Sequence, residues 1–294
     1  MTSQPRERRR LPKPSMISKT YLLTALAMLA FAGNSLLCRV ALRDTSIDPA
    51  TFTLLRLVAG AGVLWLMVRM RAKADSCAGS WRGALALFAY AAAFSYAYVQ
   101  LDAGAGALLL FGAVQLSMIA WGMLKGERLA PMQVAGMLLA TAGVVALLLP
   151  GARTPPMTAS VLMMVSGIAW GAYSLMGKGK PNPLATTAGN FIRATPIATA
   201  MCLAAAATLR WDATGALYAV ASGALTSGIG YAIWYAALPG LSAVQGASVQ
   251  LSVPLLTALA GSLLLGENLT GRTLVAGIAI LGGIALVLST RRQV

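Results

Sequence analysis

Long runs of apolar residues, separated by short breaks that are polar or rich in proline and glycine, make up most of this chain. A helix needs about 20 consecutive apolar residues to cross the hydrocarbon core of a bilayer. The runs are continuous and do not alternate apolar with polar positions, as the strands of a membrane barrel would. The pattern predicts ten transmembrane helices, near residues 17–42, 51–70, 82–100, 104–124, 132–149, 157–177, 184–206, 213–236, 242–264 and 270–289.

The composition agrees with a protein whose surface faces lipid. Of 294 residues, 58% are hydrophobic and 11% are charged, whereas a soluble domain has about 25% charged residues. The expected fold class is therefore an all-α polytopic membrane protein. One predicted span, 184–206, is interrupted by the polar or helix-breaking residues Asn190, Arg193 and Pro196.

Basic residues are distributed unevenly between the two sides of the predicted bundle. With the basic tail, residues 1–16, in the cytoplasm, sixteen of the 23 lysines and arginines fall on the cytoplasmic side and four on the other. The remaining three, Arg39, Arg56 and Arg193, lie within spans. By the positive-inside rule this bias predicts that both termini are cytoplasmic. Membrane orientation thus explains the net charge of +15, and no nucleic-acid partner is expected.

The two halves of the chain resemble each other. The segment GERLAPMQVAGMLLATAGVVALLL (126–149) aligns with GENLTGRTLVAGIAILGGIALVL (266–288), and AFAGNSL aligns with AWGAYSL earlier in each half. Two five-helix repeats are therefore predicted, at residues 17–150 and 151–290. Because five is odd, the second repeat enters the membrane from the opposite side. Such inverted repeats are frequent in transporters, with a midplane site between the halves.

Several motifs resemble the EamA-type modules of the drug/metabolite transporter superfamily. They are DPATFTLLRLVAGAGVLWL in the second helix, MLKGERLAPMQVAGMLLATAGVVALLL in the fourth and fifth, and VQLSVPLLTALAGSLLLGENLTGRTLVAGIAILGGIALVL in the ninth and tenth. Within the superfamily the chain is most similar to the aromatic amino acid exporters of the YddG type. The resemblance implies a central cavity surrounded by the first, third, fourth, sixth, eighth and ninth helices. Pro254, which lacks a backbone donor and would bend the ninth helix, has Val114 as its counterpart, so such a hinge would be one-sided.

Aromatic and polar side chains on those six helices are the candidates for binding a substrate. Helical spacing places those of each helix on one face. For the aromatic residues the alternatives are helix packing or an interfacial belt, and for amides such as Gln115 and Gln250 the alternative is hydrogen bonding between helices. The candidates are Asn34, Tyr90, Phe94, Tyr98, Gln115, Trp170, Tyr173, Ser227, Tyr231, Trp234, Gln245, Ser248 and Ser252.

Arg56 raises a separate question, because a charged side chain is unfavourable inside a bilayer. It lies near the outer end of its predicted helix, so one interpretation is that it snorkels to the interface. A second is a gating or structural pairing with Asp44, Asp48 or Asp102, and a third is contact with a substrate carboxylate. Arg193 is placed similarly near the opposite face, where it would hold carbonyl groups or acids at a second gate.

Small residues on the fifth predicted helix indicate close helix packing. Gly136, Ala140 and Gly143 share one face at spacings of four and three, and Gly283 stands at the matching position of the tenth helix. Small residues at such spacings let membrane helices approach closely. The fifth and tenth helices are therefore expected to brace the two halves.

The titratable residues limit the chemistry that the chain can perform. Histidine is absent, and all eight acidic residues fall in predicted tails, loops or helix ends. Proton-driven carriers usually bury a carboxylate or histidine on the path, so facilitated, gradient-driven transport is expected unless Asp102 moves inward. No metal, cofactor or catalytic residue is predicted. Cys38, Cys77 and Cys202 are scattered and predict no disulfide framework.

The sequence thus predicts a multi-pass transporter of the bacterial cytoplasmic, or inner, membrane that exports small amphipathic metabolites by alternating access. The resemblance favours aromatic and other neutral amino acids. The alternatives are threonine, cysteine metabolites, nucleobases or drugs such as methyl viologen, and, in a different class, a non-transporting receptor. The expected partners are a small-molecule substrate and the lipid bilayer, with the chain a monomer or a weak homodimer.

Overall fold

The computed structural model describes residues 14–71, 78–126, 130–149, 154–177, 180–237 and 249–289, and there is no strand among them. Ten long helices lie in these ranges: α1 Pro14–Asp44, α2 Pro49–Arg69, α3 Trp81–Tyr98, α4 Ala103–Leu124, α5 Pro131–Leu148, α6 Met157–Gly177, α7 Pro183–Ala204, α8 Ala213–Ala237, α9 Ser252–Leu265 and α10 Gly271–Ser289. Six of them, α1, α2, α4, α5, α6 and α8, are long and apolar enough to cross a membrane. The predicted all-α polytopic fold is confirmed.

The helix ends follow from local sequence. The Asp48 carboxylate accepts hydrogen bonds from the first turn of α2, and Ser80, Asn182 and Asp212 cap α3, α7 and α8 in the same way. Such caps satisfy backbone donors that have no partner within the helix. Proline stands in the first turn of α2, α5 and α7, where its missing N–H leaves no hydrogen bond unmade. α7 continues through Pro196.

The helices pack in pairs that are related by exchanging the two halves. α2 packs on α7, α4 on α9 and α5 on α10, which are counterparts of each other. The pair α3 and α6 has its counterpart in α8 and α1, and the pair α4 and α6 has its counterpart in α9 and α1. Exchanging α1–α5 with α6–α10 therefore gives the same set of packed pairs. This is the pattern that a pseudo-two-fold axis between the halves produces.

The contact between α5 and α10 shows the relative direction of counterpart helices. Gly136 packs against Gly283 and Val287, whereas Gly143 packs against Ile280, which precedes them in the chain. The two helices are thus antiparallel, as inverted repeats demand. A Cβ on Gly136 would lie 2.5 Å from the carbonyl oxygen of Gly283, so the predicted close packing of small residues is confirmed.

Two interruptions mark the second half of the bundle. A π-helical segment, Ser222–Ile229, lies within α8, and Gly223 in it has no room for a Cβ against the backbone of Arg56 on α2. Residues 249–250 are helical, but a turn at Leu251 separates them from α9. Pro254 in the first turn of α9 cannot donate to the carbonyl of residue 250, which favours this break. The counterpart helix α4 is continuous, so the interruption is one-sided.

Candidate functional site

A narrow cavity lies between the two halves, with walls from α1, α3, α4, α6 and α8 and from the segment before α9. The cavity is tight in this conformation, with a volume of about 30 Å³, room for roughly one water molecule and well below that of a typical small-molecule site. Its lining residues are Phe31, Asn34, Ser35, Tyr90, Phe94, Leu110, Phe111, Trp170, Thr226, Ser227, Tyr231 and Gln250. Half of these residues are aromatic, and the described lining also contains hydroxyl and amide groups but no charged side chain.

Asn34 organises the polar part of this wall. Its Oδ1 accepts hydrogen bonds from the hydroxyls of Ser222 (2.8 Å) and Thr226 (3.3 Å), and its Nδ2 donates to the Tyr90 hydroxyl at 3.3 Å. The π-helical segment of α8 supplies both hydroxyls. One amide thereby joins α1, α3 and α8, and a buried hydrogen-bond network of this kind favours one defined geometry of its members.

The apolar part of the wall is built around the Trp170 ring. That ring lies 4.8 Å from Tyr90 and 5.3 Å from Tyr231, measured between centroids. Phe31, from the other repeat, packs edge-on against Tyr231 with 5.9 Å between ring centroids. Aromatic pairs at these separations are favourable beyond their area burial. The result is a rigid aromatic surface contributed by both halves of the molecule.

Arg56 stands directly behind the cavity wall. Its side chain is buried, with the residue 2% exposed, and its Nη2 donates to the Tyr90 hydroxyl at 3.0 Å while Nε donates to Ser227 Oγ at 3.4 Å. The guanidinium also lies over the rings of Tyr90 and Phe94, at 5.3 and 5.1 Å from their centroids. Its Nη1 has no hydrogen-bond partner in the described structure.

These contacts correct two of the three interpretations of Arg56. Snorkelling to the interface is wrong, because the side chain points into the protein. The predicted pairing with a carboxylate is also wrong within the described residues. Asp102 pairs with Arg39, Asp44 pairs with Arg43, and Asp48 caps α2. α2 thus contributes Arg56 to the core of the bundle.

A second buried arginine, Arg39 on α1, has the carboxylates that Arg56 lacks. Its Nε donates to Glu267 Oε1 at 2.9 Å and its Nη2 to Asp102 Oδ1 at 3.2 Å. Its Nη1 donates to the Tyr98 carbonyl at 3.0 Å, and Glu267 Oε2 accepts from the backbone N–H of Ala103 at 2.7 Å. We call Arg39, Asp102 and Glu267 the ionic cluster. It ties α1 to the α3–α4 and α9–α10 connections.

The ionic cluster lies next to one end of the cavity, one helical turn beyond Phe94 on α3. Phe94 lines the cavity, and Tyr98, one turn further along α3, is completely buried and offers its carbonyl to Arg39. On the other side of the cluster, Asp102 and Glu267 line an open depression of about 410 Å³. The contacts of the Phe94 ring with Tyr98, and of the Tyr98 carbonyl with Arg39, link the cavity lining to the ionic cluster.

The predicted binding residues divide into three groups. Six of them line the cavity: Asn34, Tyr90, Phe94, Trp170, Ser227 and Tyr231. Five are described elsewhere. Tyr98 and Gln115 are buried outside the lining, Tyr173 packs on Trp170, and Trp234 packs on Phe31. Ser252 donates to the carbonyl of residue 249. Gln245 and Ser248 lie outside the described residues.

Arg193 has a different environment from Arg56. It is only partly buried, and its Nη1 donates to the carbonyl oxygens of Gly189 (3.0 Å) and Ala78 (3.3 Å). It thus holds the chain just before α3 rather than any cavity group. The expected hold on carbonyl groups is present, whereas its predicted similarity to Arg56 is not.

Some site residues were not predicted from the sequence. Phe31 carried a signal, because the alignment of AFAGNSL with AWGAYSL matches it to Trp170. Phe111 lies one helical turn from Gln115 on α4. Arg39 and Glu267 had no local signal, since their contact joins positions far apart in the chain. The described residues contain no group of three or more His, Cys, Asp or Glu side chains that would hold a metal ion.

The fold and the cavity are those of a multi-pass membrane transporter, with antiparallel counterpart helices and a site lined by aromatic rings between the two halves. The model of the EamA-like transporter family matches residues 18–149 and again residues 157–289. The chain belongs to this family.

Relatives agree with this assignment. An uncharacterised protein of Pseudomonas aeruginosa is 60% identical, with 93% of this chain and 96% of that protein aligned. An uncharacterised transporter of Archaeoglobus fulgidus is 27% identical over 95% of this chain and 100% of its own length. One crystal structure superposes with a TM-score of 0.65 at 22% identity, covering 92% of this chain and 97% of that one, which shows a shared fold.

Proposed function

We propose that this transporter exports aromatic and other neutral amino acids across the bacterial cytoplasmic membrane. The observation that carries the proposal is the cavity wall, in which aromatic rings from both repeats face a cluster of hydroxyl and amide groups. An aromatic amino acid has one apolar ring and one compact polar end, and the wall is divided in the same way. The resemblance to aromatic amino acid exporters points to the same substrates.

Cationic drugs fit this cavity less well. An organic cation taken from water into a low-dielectric site needs a carboxylate or an equivalent acceptor. The described cavity lining contains no Asp or Glu, and the nearest buried charge is the cation Arg56. Methyl viologen is therefore the weaker alternative, and neutral or anionic metabolites are favoured.

Alternating access is proposed to work through the ionic cluster. We infer that the cluster closes the outer end of the cavity, since the predicted orientation has both termini in the cytoplasm. Opening that end requires Arg39 to release Glu267 or Asp102, which belong to connections in different repeats. A carboxylate and guanidinium that re-enter water recover their hydration, which makes such a latch reversible.

Transport is proposed to follow the substrate gradient. Tyr90, Asn34 and Ser227 are polar groups of the described cavity lining, and that lining contains no carboxylate or histidine, the groups that usually carry the proton in proton-driven carriers. All described lining residues belong to one chain, and we propose that a monomer in the bilayer performs the activity.

Counterflow into proteoliposomes tests the proposal. Purified protein is reconstituted with unlabelled phenylalanine inside, and uptake of labelled phenylalanine or tryptophan is followed. We expect saturable counterflow well above that of empty liposomes. Uptake equal to that of empty liposomes would contradict the proposal, and competition by methyl viologen but not by amino acids would favour the drug alternative.

A further inference from the structure

The buried charge of Arg56 has no anionic partner among the described residues. A guanidinium stays protonated in proteins, so Arg56 carries a full positive charge at 2% exposure. Its contacts are two hydroxyl groups and two aromatic faces, which lower the energy of the charge but do not neutralise it. Nη1 is left without a partner in the described structure. The site is therefore short of negative charge.

The direction of the hydrogen bonds around Arg56 is fixed by chemistry. A guanidinium can only donate, so the oxygens of Tyr90 and Ser227 must both accept from it. The Tyr90 oxygen also accepts from Asn34 Nδ2. A phenol oxygen has two lone pairs and one proton, so both lone pairs of Tyr90 are used. Its proton remains available for donation.

Both hydroxyls stand in the cavity wall. Tyr90 and Ser227 line the cavity, and Arg56 lies behind them. A hydroxyl that accepts from a cation becomes a stronger donor, because hydrogen bonds in a chain polarise one another. The wall thus presents O–H donors supported by a positive charge, which is the arrangement that a carboxylate requires.

We infer that the cavity recognises its substrate by a carboxylate bound at the Tyr90 and Ser227 hydroxyls in front of Arg56, and that an α-amino group is dispensable. The substrate class is an aromatic monocarboxylate, with the ring against Trp170 and Tyr231. This inference rests on the proposed function and narrows it. A carboxylate neutralises Arg56, whereas the ammonium of a zwitterion brings in a cation for which the described lining has no acid.

Three probes of matched shape separate the two charged groups. Phenylalanine has both, 3-phenylpropionate has only the carboxylate, and phenethylamine has only the ammonium. Thermal stabilisation of the purified protein and inhibition of labelled phenylalanine counterflow are measured with each. We expect 3-phenylpropionate to act at concentrations no higher than phenylalanine, and phenethylamine to need at least about tenfold more, as for loss of one charge-assisted hydrogen bond.

Tyr90→Phe tests whether the Tyr90 hydroxyl binds the carboxylate, and it removes neither an aromatic ring nor a charge. It should reduce the preference for 3-phenylpropionate over phenethylamine at least about fivefold, the effect of losing one hydrogen bond of about 1 kcal/mol. Tyr235→Phe is the matched control. It also removes a tyrosine hydroxyl, one that contacts Thr187 at 3.5 Å away from the cavity lining, and should leave the preference unchanged.

The outcomes distinguish the inference from the proposed function. Equal potency of phenethylamine and 3-phenylpropionate, with phenylalanine counterflow intact, would overturn the inference and leave the function standing. Stabilisation by 3-phenylpropionate without any amino acid counterflow would support the carboxylate site and overturn amino acid export. A preference that persists in Tyr90→Phe would overturn the assignment of the donor.

Discussion

Arg39 and Arg56 are both buried in the helical bundle, but their surroundings differ in one decisive way. Arg39 contacts two carboxylates, and its side chain and that of Glu267 are 9% and 7% exposed. Arg56 contacts hydroxyl groups and aromatic rings, and no carboxylate among the described residues. The third helix connects them, since Tyr90 meets Arg56 and the Tyr98 carbonyl meets Arg39.

The difference indicates two uses of a buried cation. A charge whose partner belongs to the protein holds the structure, and removing one member leaves the other buried and unpaired. A buried cation that has no anionic partner in the protein can be neutralised by an anionic ligand. Each of the following changes distinguishes the two uses.

The largest expected effect is on stability, at the ionic cluster. Arg39→Gln leaves Glu267 buried without its main partner, and should destabilise the fold by about 3–5 kcal/mol. Thermal unfolding in detergent measures this. The double variant Arg39→Gln, Glu267→Gln strands no charge and should recover most of the loss, because interacting sites are not additive. Equal loss in single and double variants would show that the ion pair does not matter.

The aromatic wall should respond with a smaller change, in transport. Trp170→Ala removes the ring that meets Tyr90 and Tyr231, and should raise the phenylalanine concentration needed for half-maximal counterflow about tenfold, or roughly 1.4 kcal/mol. Trp170→Phe should recover part of this. Tyr173→Ala removes a ring that packs on Trp170 and lies outside the cavity lining. An equal effect of the two alanine variants would contradict the placement of the site.

The smallest effect is expected at Asp48, once a candidate partner of Arg56. Burial alone would raise the pKa of Asp48, but hydrogen bonds from the Thr51 hydroxyl and from the backbone of Thr51, Arg210 and Ala50 lower it overall. The carboxylate therefore stabilises the folded state above its unfolded pKa, about 4, and this contribution is lost as the pH falls through the lower folded value.

Asp48→Asn should accordingly flatten the acid side of the stability profile below about pH 4. Stability near neutrality should fall by at most about 1 kcal/mol, because asparagine is also a good N-cap. Thermal unfolding of both proteins between pH 3 and pH 7 measures the difference, which should correspond to the titration of roughly one group. Unchanged acid sensitivity would show that Asp48 does not contribute.

Much of the fold follows from the sequence, because its determinants are local or repeated. Apolar runs of sufficient length predict the helices, and Gly136 and Gly143 predict the contact with α10. The geometry of the site is harder to predict from sequence. The depth of Arg56 along its helix gave no information on which way the side chain points, so its predicted carboxylate partners were wrong. The π-helical segment of α8 also has no signal in the hydrophobic pattern, yet it positions Thr226 and Ser227.

The most direct test of the account is phenylalanine counterflow by Arg56→Gln, compared with wild type and with Asp48→Asn at equal amounts of folded protein. Removing Arg56 strands no carboxylate among the described residues, so folding should be retained. We expect counterflow in Arg56→Gln to fall more than about tenfold, as for loss of a charge-assisted contact, and to stay at the wild-type level in Asp48→Asn. Wild-type counterflow in a folded Arg56→Gln variant would contradict the central claim that this charge serves the substrate.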